Sequence, residues 1–125
     1  MAGWTSEELE AVGAAEELEL SSLRRDGSLR SPVTIWVVRV GDDLYVRSVY
    51  GRSSKWFSGV QDRHEGRIRA GGVERDVRFV ETDDAGDQVD GAYRAKYSRY
   101  PANVVDPMFG AAARAATLEL VPRAG

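Results

Sequence analysis

The chain has 125 residues, 42% hydrophobic and 30% charged, with a net charge of −3 at neutral pH, a composition ordinary for one soluble domain with a core of its own. It lacks cysteine and has one histidine, His64, which excludes disulfides, thiolate nucleophiles and multi-histidine metal sites. The acidic balance gives no global support for nucleic acid or a membrane surface as partner. With no apolar run as long as a membrane span or signal-peptide core, a cytoplasmic protein is expected and no metal is assigned.

An N-terminal helix is predicted within residues 1–16. Thr5 or Ser6 caps it, Glu7, Glu8 and Glu10 fill turns where the helix dipole favours acids, and Leu9 and Val12 supply the buried stripe. Leu18, Leu20 and Ser22 alternate with Glu19 and Ser21 as a short half-buried strand. Arg24-Arg25-Asp26-Gly27 is a turn. The β-branched run 33–40 reads as a central strand. Gly41-Asp42, or Gly41-Asp42-Asp43, then closes a hairpin onto 44–50. Ser53 or Ser54 begins a short helix carrying Trp56, Phe57 and Val60.

Residues 67–70, Gly71-Gly72 and 73–81 form the clearest hairpin, because two glycines permit positive φ at both turn positions. That register sets Arg69 against Glu74 and Arg67 against Asp76, opposite charges facing across the strands. A loop follows, 82–87. Residues 87–100 read as a helix ending before Pro101, and 107–115 as another. Residues 117–121 alternate as a last strand. The barrel strands thus occupy 18–81, the helical segment 87–115 and the final strand 116–122, all in one domain over 1–125. The tally is six strands and three to four helices, mainly β within the α+β class. Antiparallel hairpins dominate, and the rhythm of a doubly wound sheet is missing, so a small antiparallel barrel with flanking helices fits best.

The series 23–32, a hydrophobic strand, Gly41-Asp42, a Tyr-Val strand, Ser48, Gly51, Lys55-Trp56, the Gly-Gly hairpin, a tyrosine-bearing helix and 116–123 resembles the bacterial DUF2255 family. More distantly it resembles the deazaflavin (F420)-dependent nitroreductases of the FMN-binding split-barrel superfamily. The likeness spans about 18–123. It implies a six-stranded antiparallel split β-barrel, a homodimer, and a pocket that takes FMN or F420, or that persists without either. Asp26 and Tyr50-Gly51-Arg52-Ser53 depart from the nitroreductase pattern, which has a basic or hydroxyl-bearing turn at the first place and a Gly-Gly and Pro at the second.

By that resemblance, Arg24, Arg30, Ser48, Ser53, Ser54 and Lys55 would hold the anionic tail of a cofactor. Trp36, Tyr45 and the tyrosine face of Tyr93, Tyr97 and Tyr100 would flank its ring and the substrate. Trp56 belongs to the same cofactor-binding set, and Tyr93, Tyr97 and Arg47 are the catalytic candidates. The residues themselves support two readings at each place. Hydroxyls, helix-start N–H groups and cations in 48–55 suit a phosphate or carboxylate, or simply cap a helix. A two-residue turn at Gly41-Asp42 puts Val38 opposite Tyr45 and Trp36 opposite Arg47, stacking a guanidinium on an indole; a three-residue turn separates them. Tyr93, Tyr97 and Tyr100 share one helical face, which either lines a pocket or packs on the barrel. His64 sits in a polar loop and reads as a surface residue. Three functions follow: an oxidoreductase acting on a small organic substrate, a cofactor-free small-molecule binder, isomerase or cyclase using the same pocket, or a dimeric interaction module using Val38 and Val49. The first two require the 48–55 turn and the tyrosine face to border a common cavity.

Overall fold

The computed structural model describes residues 3–83 and 86–123. The elements in chain order are α1 (Ser6–Ala14), β1 (Leu18–Ser22), β2 (Val33–Ile35), β3 (Val38–Val40), β4 (Asp43–Arg47), α2 (Lys55–Arg63), β5 (Glu65–Ala70), β6 (Val73–Glu81), α3 (Gly86–Lys96), α4 (Ala102–Val105), a 3-10 turn (Asp106–Phe109), α5 (Ala111–Arg114) and β7 (Thr117–Pro122). The strands make one antiparallel sheet in the order β2-β1-β5-β6-β7-β4-β3.

β2 and β3 are consecutive in the chain yet lie at opposite ends of that order. Ile35 and Val38 are three Cα steps apart, at most about 11 Å, so the sheet must curl until its edges approach. The result is a split-barrel-like sheet with flanking helices, of the expected α+β class, with seven strands in place of six. The extra strand corrects the reading of 33–40 as one central strand. That run is two edge strands, and the centre belongs to β5, β6 and β7. The break has a local cause. The Val37 N–H donates to the Tyr97 hydroxyl at 3.2 Å, and the Val37 carbonyl accepts from Lys96 Nζ at 2.6 Å. A backbone whose donor and acceptor are taken by side chains leaves the ladder.

The two-residue turn is correct: Val40 pairs with Asp43 and Val38 with Tyr45. The Gly71-Gly72 hairpin is as expected, with φ of 57° and 83° at the two glycines. Arg67 meets Asp76 and Arg69 meets Glu74, each at 2.9 Å. Thr5 caps α1 in a capping box with Glu8, and Ser54 caps α2.

Strand alternation divides the apolar residues into two layers. Leu20, Leu44, Val46, Ile68, Phe79 and Leu118 fill the barrel, plugged by Leu9 and Val12 from α1 and by Phe57 and Val60 from α2. Val38 and Tyr45 point the other way, onto Val89, Tyr93 and Tyr97 of the 86–100 segment. β4 is therefore buried on both faces. The predicted helix 107–115 is interrupted instead: α4, the 3-10 turn and α5 are separate pieces, with Pro107 early in the turn and Gly110 extended at φ −70°, ψ 162°. Two positions of the predicted 82–87 loop, 84 and 85, lie outside the described residues.

Candidate functional site

A cleft of about 340 Å³ opens between β2, the 47–56 segment and the 104–108 segment. One wall is β2 followed by Trp36; Val49, Tyr50 and Trp56 form a second, and Val104 and Met108 a third. These surfaces are largely apolar and aromatic, the character of a site for a planar organic group. Trp36 is held in place from behind. Its ring stacks on Tyr97 at 3.9 Å and 7°, and Tyr100 tilts against it at 5.1 Å.

A second recess of about 400 Å³ adjoins the cleft, sharing Val33 and Trp56 with it. Arg24, Arg30 and Lys55 make it cationic. Arg30 is committed to the protein. It donates to Asp62 at 2.5 Å and to the carbonyls of Leu23 and Gly59, and that hydrogen bond holds the Asp62 carboxyl below its ordinary value. Arg24 donates to the Ser28 hydroxyl and the Leu29 carbonyl, and its charge also acts on Asp26. Among the described residues neither Arg24 nor Lys55 forms an ion pair, and both are exposed. Lys55 opens α2, where the backbone N–H groups add to the positive field. Asp26, the acidic departure in the Arg24 turn, accepts from Ser28 N–H at 3.0 Å and Ser28 Oγ at 2.7 Å, so it closes the turn and leaves the recess positive.

Arg47 lies beneath the cleft with its side chain 0% exposed. It donates from Nη1 to Asp90 at 2.5 Å and to the Met108 carbonyl at 2.8 Å. Nη2 reaches the Gly86 carbonyl at 3.1 Å and Nε the Thr117 hydroxyl at 2.9 Å. Asp90 takes a further bond from Arg114 at 3.1 Å. The guanidinium stands over Tyr93, 5.7 Å from its centroid, rather than over Trp36. The expected Trp36–Arg47 stack is therefore absent. The ladder stops at Val38, and the guanidinium follows Asp90.

The tyrosine face reaches the cleft only through Trp36, which corrects the expectation that it would border the cavity directly. Tyr93 is fully buried, and burial pushes its pKa well up against a weaker opposing contact of its hydroxyl with the Arg47 backbone. Tyr97 is buried too. Its hydroxyl donates to the Glu16 carbonyl at 2.7 Å, and burial raises its pKa to about 12. Tyr45 is packed in the outer layer beneath the 86–100 segment, away from cleft and recess. Ser48 and Ser54 share a 2.7 Å hydrogen bond, and Ser54 Oγ accepts from Phe57 N–H, so both hydroxyls fasten the loop to α2. Ser53 is exposed outside the cleft and the recess. Of the residues named from sequence, Trp36, Trp56, Arg24, Arg30 and Lys55 come together here, with Arg47 beneath the cleft. His64 ends α2 in the left-handed region, φ 54°, and its Nε2 lies 2.8 Å from Glu81.

Sequence reasoning missed the β2 edge, Val104 and Met108 as cleft walls. Nothing in their residue types distinguishes them from core. Val38 is fully buried and Val49 half-buried in the cleft, so the exposed apolar side chains beside this site are instead Tyr50, 82% exposed, and Val104, 43% exposed.

The family described as an uncharacterized protein conserved in bacteria, DUF2255, matches residues 8–120 of the chain. No curated protein matches it in sequence. Among solved structures, the conserved hypothetical protein Rv2991 from Mycobacterium tuberculosis is similar with a TM-score of 0.64 and 13% identity, over 98% of this chain and 82% of that one. An FAD-binding protein from Mesorhizobium loti gives 0.59 and 15% identity, over 98% and 91%. A protein named F420 reductase gives 0.56 and 14% identity, over 92% and 90%. At such identities the likeness is one of fold.

Proposed function

The chain belongs to the DUF2255 family, and we propose that it is a split-barrel oxidoreductase that binds a flavin or deazaflavin and acts on a small organic substrate. The observation that carries this reading is the contact between an aromatic cleft and a recess with two exposed cations, Arg24 and Lys55, that form no ion pair among the described residues, the two spaces being joined at Val33 and Trp56. A planar ring with an anionic tail has that two-part character. Cofactor-binding neighbours on the same fold add support.

The residues present fit such a group. Trp36 and Trp56 offer ring faces and edges to a planar heterocycle. Arg24 and Lys55 offer charge-assisted hydrogen bonds to a phosphate or carboxylate, without first breaking an ion pair. When bound, a flavin or deazaflavin supplies the hydride chemistry. The chain's own residues orient the ring, exclude water with Tyr50, Val104 and Met108, and set the positive field of the recess. Arg47 and Tyr97 serve as supports: Arg47 ties the floor to α3 and the 3-10 turn, and Tyr97 backs Trp36.

The test is titration of purified protein with FMN and with F420, read by cofactor absorbance and tryptophan fluorescence. Saturable binding of either with quenching is expected. Failure of both sinks the reading, and saturable binding of a non-flavin aromatic acid in their place would establish the cofactor-free alternative. A homodimer is part of the proposal, supported by the exposed Tyr50 and Val104 at the cleft mouth. Light scattering should return twice the 13.7 kDa chain mass, and a strict monomer would remove that part.

A further inference from the structure

Val33, Thr34, Ile35 and Trp36, four residues in succession, border the cleft. Side chains of a strand alternate between its two faces, so successive residues meet one space only if the space runs along the strand's backbone edge. β2 is the terminal strand of the sheet and pairs with β1 alone, through Leu18↔Ile35, Glu19↔Thr34 and Leu20↔Val33. Among the described residues no other hydrogen bond reaches the backbone of Val33, Thr34 or Ile35. In an antiparallel ladder each residue turns its N–H and C=O to the same side, and the next residue turns them to the other. One edge of β2 therefore holds out backbone donors and acceptors toward the cleft, beside apolar walls.

We infer that this free edge reads the ring by its imide. A flavin or deazaflavin ends in a pyrimidinedione whose edge runs acceptor, donor, acceptor. The outward N–H and C=O of one β2 residue complement one carbonyl and the imide N–H, in the way two strands exchange a pair of bonds. Other occupants of a strand edge fit less well. The edge is three residues long, too short for a peptide to build a ladder on, and Trp36, Tyr50 and Trp56 wall it in. The edge also separates ligand classes. An aromatic acid without an imide fills the cleft and leaves the backbone groups unpaired, which binding penalises.

This inference rests on the proposed function, and the experiment separates the two. FMN is compared with 3-methyl-FMN, in which the imide proton is replaced by a methyl group. Loss of the imide donor, together with a methyl that holds the neighbouring carbonyl off the β2 backbone, should weaken binding at least about tenfold. In parallel, amide spectra are recorded with whichever of FMN and F420 binds. An amide within 33–35 should move downfield and become protected from exchange, together with shifts of the Trp36 and Trp56 indoles. Equal affinity for the two FMN forms, with the 33–35 amides unmoved while the indoles shift, overturns the imide contact and leaves the cofactor reading intact. If neither FMN nor F420 binds, both fall.

Discussion

Arg47 and Lys55 stand eight positions apart, on either side of the loop that walls the cleft, and the fold treats them in opposite ways. Arg47 is sealed under α3, where one carboxylate, two carbonyls and a hydroxyl take up its donors. Lys55, like Arg24, keeps its charge on the surface of the recess without an ion pair among the described residues. The first arrangement is what a fold does with a cation it uses for itself. The second leaves the charge for something that arrives later. Burial and partner count, rather than residue type, separate the structural cation from the candidate ligand-binding ones.

The comparison breaks first at Arg47. Replacing it with alanine leaves Asp90 buried with only Arg114 beside it and frees two carbonyls, an expected loss of about 3–5 kcal/mol in urea unfolding. A loss below about 1 kcal/mol would mean the pair behaves as a surface bridge. The tyrosines behind Trp36 sharpen the same point. Tyr97→Phe removes the hydroxyl that bonds the Glu16 carbonyl and strands the Val37 N–H, and should cost about 1–3 kcal/mol. Tyr93→Phe removes a buried hydroxyl that, among the described residues, meets at most a marginal bond from the Arg47 backbone, and should cost less than about 1 kcal/mol. If Tyr93→Phe instead abolished turnover with cofactor binding intact, Tyr93 would regain its place as a catalytic residue.

The open side of the comparison is tested at Lys55→Ala and Arg24→Ala. Both positions are exposed, so stability should stay within about 0.5 kcal/mol. Affinity for FMN should fall roughly tenfold for each, the worth of one charge-assisted bond, and its salt dependence should flatten. Riboflavin, which lacks the phosphate, should bind the variants and the parent alike. Equal losses for riboflavin and FMN would move the anionic tail away from the recess.

How far the sequence reveals these roles depends on where the deciding partner lies. The Gly71-Gly72 hairpin is legible because its evidence is local: period-two alternation, two glycines, and opposed charges at Arg69–Glu74 and Arg67–Asp76. The caps are legible to within one residue for the same reason, Thr5 or Ser6 and Ser53 or Ser54, and the structure uses Thr5 and Ser54. The split of 33–40 is not, since a β-branched run has uniform strand propensity. The interruption at Val37 comes from Tyr97 and Lys96, about sixty positions away. The site divides likewise. Trp36, Trp56, Arg24 and Lys55 are recognisable by type and placement. The β2 edge is a property of sheet order, which no window of sequence contains. The i, i+4, i+7 spacing of Tyr93, Tyr97 and Tyr100 gives them a common face but does not say what covers it. Arg47 was ambiguous until Asp90, Gly86 and Met108 were folded onto it.

Lys96 gives the finest distinction between a used cation and a spare one. Its ammonium is half-buried, donates to the Val37 carbonyl, lies 5.3 Å from the Tyr97 ring centre, and has no ion pair among the described residues. Burial lowers its pKa from 10.5 to about 8. Between those values the unfolded chain binds the proton more fully than the folded one, so stability should rise with pH from about 8. Tyr97 opposes this at higher pH: its pKa is raised from 10.0 to about 12, so above 10.0 the unfolded chain loses its proton first and stability falls. The rise is therefore confined to the interval from about 8 to 10.0. Urea midpoints taken at the two ends of that interval should show it in the parent chain and lose it in Lys96→Met. A flat profile in the parent, or the same rise in the variant, would show that the ammonium near Val37 is as well solvated as the one on Lys55.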